Sequence, residues 1–348
     1  MPSKPSSTCI TVPIKPNFIS YSHSNSIQII KEGPDLLLES ASKIPPQIWR
    51  WDPSKRTLQA ADNTDTNGLF AALDHTFSCH PEIKKILLVT NHELEQTIKR
   101  HGLSLPTTSN PLEISSEQFW QSTTLWLNLS KPQTYPLRYI SNMSTRHPQR
   151  PAKENGTLYR RFIPWLNKTF SIRTFDLYAD LKQFNNWMNN SRVAHFWEEQ
   201  GTLQDHFSYI ENIIDSPHNQ ALIGCFDEEP FAYFEAYWAK EDRIAPFYDV
   251  DDFDRGWHLL VGESAYRGRQ WFSAWFPSLQ HYLFLDDART NHIVAEPRHD
   301  NQKLIGHAAT LGFDKVKEFD FPHKRAQLIR LSRERFFSEN RIQPNHTP

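Results

Sequence analysis

A glycine-containing turn after a short apolar segment is the part of the sequence best suited to do chemistry. The segment at 257–261 reads Trp-His-Leu-Leu-Val, and the turn at 266–270 reads Tyr-Arg-Gly-Arg-Gln, directly before a helical pattern that begins at Trp271. A glycine turn at a helix start groups several backbone N–H donors that bind phosphate oxygens, and Arg267 and Arg269 add positive charge. We therefore expect this turn to hold the pyrophosphate of a nucleotide-bearing cofactor. The residues of this stretch predicted to bind the cofactor are Leu260, Val261, Gly262, Arg267, Gly268, Arg269 and Gln270.

Two titratable side chains are candidates for proton transfer. His258 lies in the apolar segment, where strand alternation puts His258 and Leu260 on one face and their neighbours on the other. A single histidine in an apolar strand can equally be a buried core residue, so this position has two readings. Asp300 follows the apolar segment at 292–295 and precedes a helical pattern, so it can cap that helix or orient an imidazole and raise its proton affinity.

The composition argues against several classes of protein. A formal net charge of −2 over 348 residues does not suit a protein whose main partner is nucleic acid or an anionic membrane. No apolar run reaches the roughly 18 residues of a membrane span, and the first residues do not resemble a signal peptide. The 3 cysteines form no C-x-x-C pair, and no zinc motif or G-x-S-x-G elbow is present. We therefore expect a cytoplasmic protein without a metal or a serine acyl-enzyme.

The length suits two domains of roughly 150 residues each. Proline and basic residues without apolar periodicity predict a linker at 131–157 between domains at 1–130 and 158–340. The C-terminal domain has the mixed order of an α/β fold. Its predicted strands lie at 170–173, 220–226, 231–238, 257–261, 292–295, 316–319 and 327–331, and its predicted helices at 177–188, 271–283 and 304–309.

Six ordered blocks of this domain resemble the GCN5-related N-acetyltransferase (GNAT) family. These blocks lie at 196–198, 235–242, 254–262, 266–268, 296–301 and 317–324. They are similar to the siderophore-biosynthesis branch, which includes the aerobactin hydroxylysine acetyltransferase and the mycobactin lysine acyltransferases. The phosphate turn departs from the wider family's pattern, because position 265 is alanine and position 270 is glutamine. Arg267 and Arg269 could replace close backbone approach by charge.

The resemblance implies a fold, a cofactor and a set of site residues. The fold would be the mixed α/β sheet of a GNAT domain, and the cofactor would be acetyl-CoA. In this family a histidine at position 258 is the proposed base, with an aspartate at position 300 beside it. Further cofactor contacts are expected from Asn301, Lys303 and Arg333. The acceptor is expected to contact Phe196, Trp197, Glu235, Tyr237 and Trp238.

The N-terminal half repeats part of this order. Strands are expected at 10–14, 26–31 and 35–39, followed by a helix, a strand and a helix between residues 69 and 101. The repeat lacks the segment at 297–300, so we expect a degenerate, non-catalytic acyltransferase-like domain, although any α/β domain contains such a unit.

The resemblance implies acetylation of an N-hydroxylated diamine or amino acid to a hydroxamate, by direct transfer in a ternary complex. Hydroxyputrescine, hydroxycadaverine, hydroxylysine and hydroxyornithine remain open as acceptors, and acetyl or succinyl as the donor's acyl group. Other siderophore-pathway enzymes are possible partners. Two alternatives remain, namely an acetyltransferase of another small amine, such as an aminoglycoside or polyamine, and a non-catalytic acyl-CoA-binding scaffold.

Overall fold

Two β-sheets with helices packed on them form the described part of the chain. The computed structural model describes residues 18–23, 25–40, 43–104, 111–128, 136–141 and 145–343. The strand predicted at 10–14 lies outside the described residues. None of the helices in this part of the chain combines the length and the apolar character that a membrane crossing needs.

The N-terminal sheet has seven strands in sequential order. Its strands are β1 Phe18–Ser22, β2 Asn25–Glu32, β3 Asp35–Ser40, β4 Lys43–Asp52, β5 Thr57–Asp62, β6 Lys85–Val89 and β7 Leu112–Ser115, and its helices are α1 Thr66–Cys79, α2 His92–Arg100 and α3 Ser116–Phe119. β5 and β6 are parallel, and α1 connects them. This sheet confirms the predicted strands β2 and β3 and the predicted order of α1, β6 and α2.

A small hairpin follows, inside the segment predicted as a linker. Its strands are β8 Tyr139–Ser141 and β9 Arg146–Pro148, and they pair antiparallel. The side chain of His147 is buried there. The described part of this segment therefore has packed structure of its own.

The C-terminal sheet has eight strands in the order β10-β11-β12-β13-β14-β15-β17-β16. The strands are β10 Thr157–Ile163, β11 Lys168–Thr174, β12 Asn219–Phe226, β13 Glu229–Trp238, β14 Arg255–Val261, β15 His292–Ala295, β16 Asp314–Asp320 and β17 Arg325–Ser332. The helices are α4 Leu181–Met188, α5 Ser191–Trp197, α6 Leu203–Asp215, α7 Arg269–Asp286, α8 Gln302–Thr310 and α9 Arg333–Ser338. Each strand predicted in this half is present. The mixed α/β fold class is confirmed.

Local sequence explains several of these boundaries. Asp227 and Glu228 both have positive φ, 49° and 67°, which is the twist of a two-residue hairpin turn between β12 and β13. α6 begins with a capping box of Thr202 and Asp205. Gly312, with φ of 101°, follows α8 in the left-handed conformation that ends many helices.

The divergence of two parallel strands opens the cleft of the C-terminal sheet. β14 pairs with β13 from Arg255 to Val261, but it pairs with β15 only at Arg255 and Gly256. Beyond Gly256 the two strands separate, so β15 does not pair with β14 from Trp257 onward. Gly256 is needed here because a Cβ atom would lie 2.1 Å from the ring of Tyr237.

One apolar cluster extends across both halves. At the junction the indoles of Trp120 and Trp126 are stacked, with ring centroids 5.0 Å apart. His281 of α7 has its Nε2 2.6 Å from the carbonyl oxygen of Trp120, and its Nδ1 2.9 Å from the hydroxyl of Tyr159. The N-terminal sheet therefore packs on the side of the C-terminal sheet that carries α7.

Candidate active site

His258 lies between two buried carboxylates at the point where β14 and β15 separate. Its Nδ1 is 2.7 Å from Oε2 of Glu235, its direct cross-strand neighbour on β13. Its Nε2 is 2.8 Å from Oε1 of Glu296, which directly follows β15. An ionised carboxylate only accepts hydrogen bonds, so both imidazole nitrogens donate when both contacts are made. The geometry therefore stabilises the imidazolium form of His258.

The electrostatics agree with this assignment. Burial alone would lower the pKa of His258, but Glu296 and Glu235 outweigh it and raise the pKa to about 10. Burial would raise the pKa of Glu296, yet His258, Lys324 and Arg243 together hold it well below its usual range. The pKa of Glu235 is lowered, because His258 and two tyrosine hydroxyls outweigh the effect of burial. At neutral pH the three groups carry a net charge of −1.

Three tyrosines fix the carboxylates. Tyr209 and Tyr233 donate to Oε1 of Glu235 at 2.5 and 3.0 Å, and Tyr237 donates to Oε2 of Glu296 at 2.8 Å. Each carboxylate thus offers one oxygen to His258 and the other to a tyrosine. Such an arrangement holds the imidazole in a single orientation. We call Glu235, His258 and Glu296 the carboxylate–histidine cluster.

The cluster lies beside a cavity of about 400 Å³, the His258 cavity. The charged side chains that line it, apart from the cluster, include Glu198, Glu199, Asp242, Arg243, Arg298 and Lys324. Glu235 and Glu296 are buried, whereas 19% of the His258 side chain is exposed. The imidazole is therefore the part of the cluster that a molecule in this cavity would touch first.

A second cavity, of about 380 Å³, is lined by four residues of α5 and is called the turn cavity. It runs along Leu259, Leu260 and Val261 to the turn at 266–269. The two cavities share five lining residues, so they adjoin each other. These residues are Phe196, Trp197, Leu259, Asn301 and Leu304.

The turn cavity has a cationic end. α7 begins after Gly268, whose φ is 107° and which offers no side chain to cap the helix. Arg267, Arg269 and Lys303 line the cavity here and form no ion pair with another described residue. Backbone N–H groups at an uncapped helix start, together with unpaired cations, suit a phosphate group.

Residues 176–321 match the family described as acetyltransferase (GNAT) domain. The chain is 36% identical over 312 residues to the N(6)-hydroxylysine O-acetyltransferase of Escherichia coli, covering 89% of this chain and 98% of that protein. It is 43% identical over 241 residues to a putative lysine N-acyltransferase of Schizosaccharomyces pombe, covering 68% and 72% of the two chains. The chain belongs to the GNAT family of acetyltransferases. A solved structure of an uncharacterized protein from Bacillus halodurans shares the fold, with a TM-score of 0.50 and 28% identity, over 54% of this chain and all of that one.

Asp300 lies elsewhere than the resemblance implied for this acetyltransferase. Its carboxylate accepts from Nε and Nη2 of Arg298 at 3.2 and 3.0 Å, and 44% of its side chain is exposed. The hydrogen bond to Arg298 lowers the pKa of Asp300. This corrects the expectation that Asp300 lies beside His258, because Glu235 and Glu296 occupy both nitrogens. Asp300, in the loop before α8, pairs with Arg298 instead.

Two predicted acceptor contacts have other surroundings. Trp238 is buried, with the guanidinium groups of Arg150 and Arg255 each 4.2 Å from its ring centroid, and it lines neither cavity. Tyr237 is also buried, and its hydroxyl holds Glu296. Phe196 and Trp197, by contrast, line both cavities. Glu235 contacts the imidazole directly, a closer role than predicted.

Three predicted cofactor contacts also differ. Arg333 is largely buried and donates to Oε1 of Gln121 at 3.0 Å and to the carbonyl of Phe284 at 2.8 Å, so it joins the two halves of the acetyltransferase. Gly262 does not line the turn cavity, and a Cβ there would lie 2.2 Å from the ring of Trp187. Gln270 is exposed on the first turn of α7, outside the lining.

Sequence reasoning did not single out several residues of the site. Glu296 lies in the block at 296–301 that resembles the GNAT family. Its position directly after an apolar strand is the sequence feature that could have marked it as a site residue. Arg192 donates to the carbonyl of Val261 at 2.7 Å and lines the turn cavity, but a lone arginine at a helix start carries no distinctive pattern. Arg243 and Lys324 reach Glu296 at 3.5 and 3.8 Å only through the tertiary fold.

Proposed function

We propose that this acetyltransferase transfers the acetyl group of acetyl-CoA to the nitrogen of an N-hydroxylated diamine or amino acid. The acceptor would be hydroxyputrescine, hydroxycadaverine or hydroxylysine, and the product would be a hydroxamate of siderophore biosynthesis. The observation that carries the proposal is the carboxylate–histidine cluster, which lines the His258 cavity next to the adjoining turn cavity. The similarity to the hydroxylysine acetyltransferase of E. coli supports the acceptor class.

The turn cavity would take acetyl-CoA. Arg267, Arg269 and Lys303, with the N–H groups at the start of α7, would hold its phosphates. The backbone of β14 from Leu259 to Val261, which does not pair with β15, would hydrogen-bond to the amide-containing arm of the donor. These contacts would bring the thioester close to His258. Phe196 and Trp197 would separate it from solvent.

The His258 cavity would take the acceptor. An N-hydroxylated amine is much less basic than a simple amine, so it is largely neutral at pH 7 and already nucleophilic. The acetyltransferase then needs to position the nitrogen near the thioester carbon and to accept one proton after attack. The thiolate of coenzyme A is the leaving group.

The cluster can accept that proton, because its net charge is −1. His258 is already protonated at neutral pH, and both of its nitrogens donate to carboxylates, so it has no position free for the acceptor's proton. The proton therefore ends on a carboxylate oxygen of Glu235 or Glu296. We assign the role of base to the whole cluster, in which the His258 imidazolium holds the two carboxylates in place.

Release of free thiol from acetyl-CoA tests this proposal. The acceptors would be N-hydroxylated and plain forms of putrescine, cadaverine, lysine and ornithine, and the hydroxamate would be confirmed by mass spectrometry. We expect kcat/KM to be at least about a hundredfold higher for a hydroxylated acceptor, since a plain amine is mostly protonated at pH 7. Equal kcat/KM for a plain polyamine or an aminoglycoside would contradict the proposal. Succinyl-CoA in the same assay separates the two acyl donors.

A further inference from the structure

Two buried side chains of the segment between the halves hold a single carboxylate of the C-terminal half. Nε and Nη2 of Arg150 donate to Oε1 and Oε2 of Glu241, each at 2.6 Å. Nδ1 of His147 lies 2.8 Å from Oε1 of the same carboxylate. Only 5% of the Arg150 side chain and 3% of the Glu241 side chain are exposed. This is a two-point, largely desolvated ion pair, unlike the exposed pairs on the rest of the surface.

The same segment makes further contacts with the loop that joins β13 and β14, residues 239–254. The guanidinium of Arg150 lies over the rings of Trp238 and Phe253, at 4.2 and 5.7 Å from their centroids. Tyr139 of the hairpin donates to Asp252. The hairpin and the residues after it thus hold this loop at both of its ends.

The loop carries part of the wall of the His258 cavity. Asp242 and Arg243, the two residues after Glu241, both line that cavity. Nη2 of Arg243 lies 3.5 Å from Oε1 of Glu296 in the carboxylate–histidine cluster. Only one peptide bond separates the anchored Glu241 from Asp242, so a displacement of Glu241 would move both charges.

We propose that Arg150 is a positioning residue for the acceptor, which acts by anchoring Glu241 and thereby Asp242 and Arg243. The negative Asp242 and the positive Arg243 would contact the charged groups of the acceptor that lie away from its reacting nitrogen. The segment between the two halves then helps to shape the acceptor site, although none of its described residues lines the His258 cavity. This inference rests on the assignment of the His258 cavity to the acceptor.

A loss of Arg150 also leaves Glu241 with an uncompensated charge, so lower stability by itself proves nothing. The useful readout is whether the KM of the acceptor changes more than the KM of acetyl-CoA. We expect Arg150→Gln to raise the KM of the acceptor at least tenfold while the KM of acetyl-CoA changes less than twofold. Arg150→Lys, which keeps the charge but loses the two-point geometry, should lie between wild type and Arg150→Gln.

Arg173→Gln is the matched control. Arg173 of β11 also forms a two-point pair, to Asp180 at 2.6 and 2.7 Å, and neither residue lines a cavity. This variant should lower the melting temperature and leave the acceptor KM unchanged. If Arg150→Gln does not fold, the double variant Arg150→Met with Glu241→Met replaces the buried pair by apolar groups and should show the same rise in acceptor KM.

An unchanged acceptor KM in a folded Arg150 variant would overturn the inference. Equal increases in both Michaelis constants, or the same acceptor effect in Arg173→Gln, would do so as well. All ratios are measured with whichever amine the wild-type protein acetylates best. A wild-type preference for a plain amine would therefore refute the proposed function and still leave the role of Arg150 measurable.

Discussion

Removal of one carboxylate at a time tests the charge state of His258. Glu296→Gln and Glu235→Gln keep the shape and one hydrogen-bond acceptor at each position but remove a negative charge. If the carboxylates hold the imidazolium, each variant must lower the pKa of His258. Asp300→Asn is the matched control, because Asp300 is paired with Arg298 and not with His258. It should leave the pKa of His258 unchanged.

The structure gives the expected size of the effect. A pKa raised from 6.5 to about 10 favours the imidazolium of His258, by roughly 5 kcal/mol at 1.36 kcal/mol per pH unit. This is the balance left after burial has opposed it, so the two carboxylates together supply more than this, an average of at least roughly 2.5 kcal/mol each. Loss of either charge should therefore move the midpoint of His258 down by roughly two pH units. The sign follows from the raised pKa, since these ion pairs stabilise the fold fully below pH 6.5 and lose their effect as the pH approaches 10.

Nuclear magnetic resonance of histidine-labelled protein measures this directly. The ring signals of His258, assigned by their absence in His258→Gln, would be followed from pH 5.5 to pH 10.5. The wild-type signals should stay in the imidazolium position through pH 8. Turnover in Glu296→Gln should fall by roughly a hundredfold or more, the usual scale for a lost proton acceptor. A wild-type midpoint near 6.5, or no change in Glu296→Gln, would refute the cluster as we describe it.

Two further predictions follow from the cationic turn and the junction of the halves. Arg267→Gln should raise the KM of acetyl-CoA roughly tenfold with little change in kcat, because a phosphate contact is equal in the ground and transition states. The control is Lys315→Gln, a change at an exposed lysine. An equal KM of acetyl-CoA in the two variants would place the phosphates elsewhere. Burial lowers the pKa of His281 to about 3, so the stability that its neutral form supplies is complete above pH 6.5 and is lost as the pH falls. Between pH 7.5 and 5.5 the free energy of unfolding from urea titrations should therefore fall by about 1.4 kcal/mol less in His281→Gln than in wild type, and parallel pH profiles would contradict this.

The sequence was sufficient where local pattern and function coincide. Alternation correctly separated His258 and Leu260 from their neighbours on β14. Leu260 packs with the apolar side chains under α4, whereas Leu259 packs with the core beneath α7. The glycine after α8 marked its end. These features depend on the period of a strand or on one backbone conformation, and both are written in adjacent residues.

Tertiary contacts decided the rest. The resemblance implied that Trp238 contacts the acceptor, but Arg150 and Arg255 bury it. The resemblance also implied that Asp300 lies beside His258, yet Asp300 pairs with Arg298, two residues before it. The proline-rich and basic segment read as a linker because its polar side chains show no periodicity. Pairing with Glu241 buries the side chains of His147 and Arg150, and no local pattern in the sequence reports this pairing.

The start of the corresponding helix in each half explains why one sheet carries the site. In both halves a helix connects two parallel strands, α1 in the first and α7 in the second. At α1, Asp65 accepts from the N–H of Gly68 at 2.8 Å, so the chain's own carboxylate stands where a phosphate would bind. Gln47 also blocks the start of α1, because it donates to Asp65 at 2.8 Å and fills the space above Gly68.

At α7 the equivalent position is Gly268, which has no side chain to cap the helix and no atom within 4 Å of where its Cβ would lie. An open helix start beside unpaired cations attracts an anion, whereas one that already holds a carboxylate repels it. We infer that the N-terminal half binds no acyl-CoA and acts through packing. Its contacts with the other half support this role, since the carbonyl of Trp120 meets His281 and the amide of Gln121 meets Arg333. The aspartate at the cap of α1 thus occupies the position that Gly268 leaves open at the start of α7.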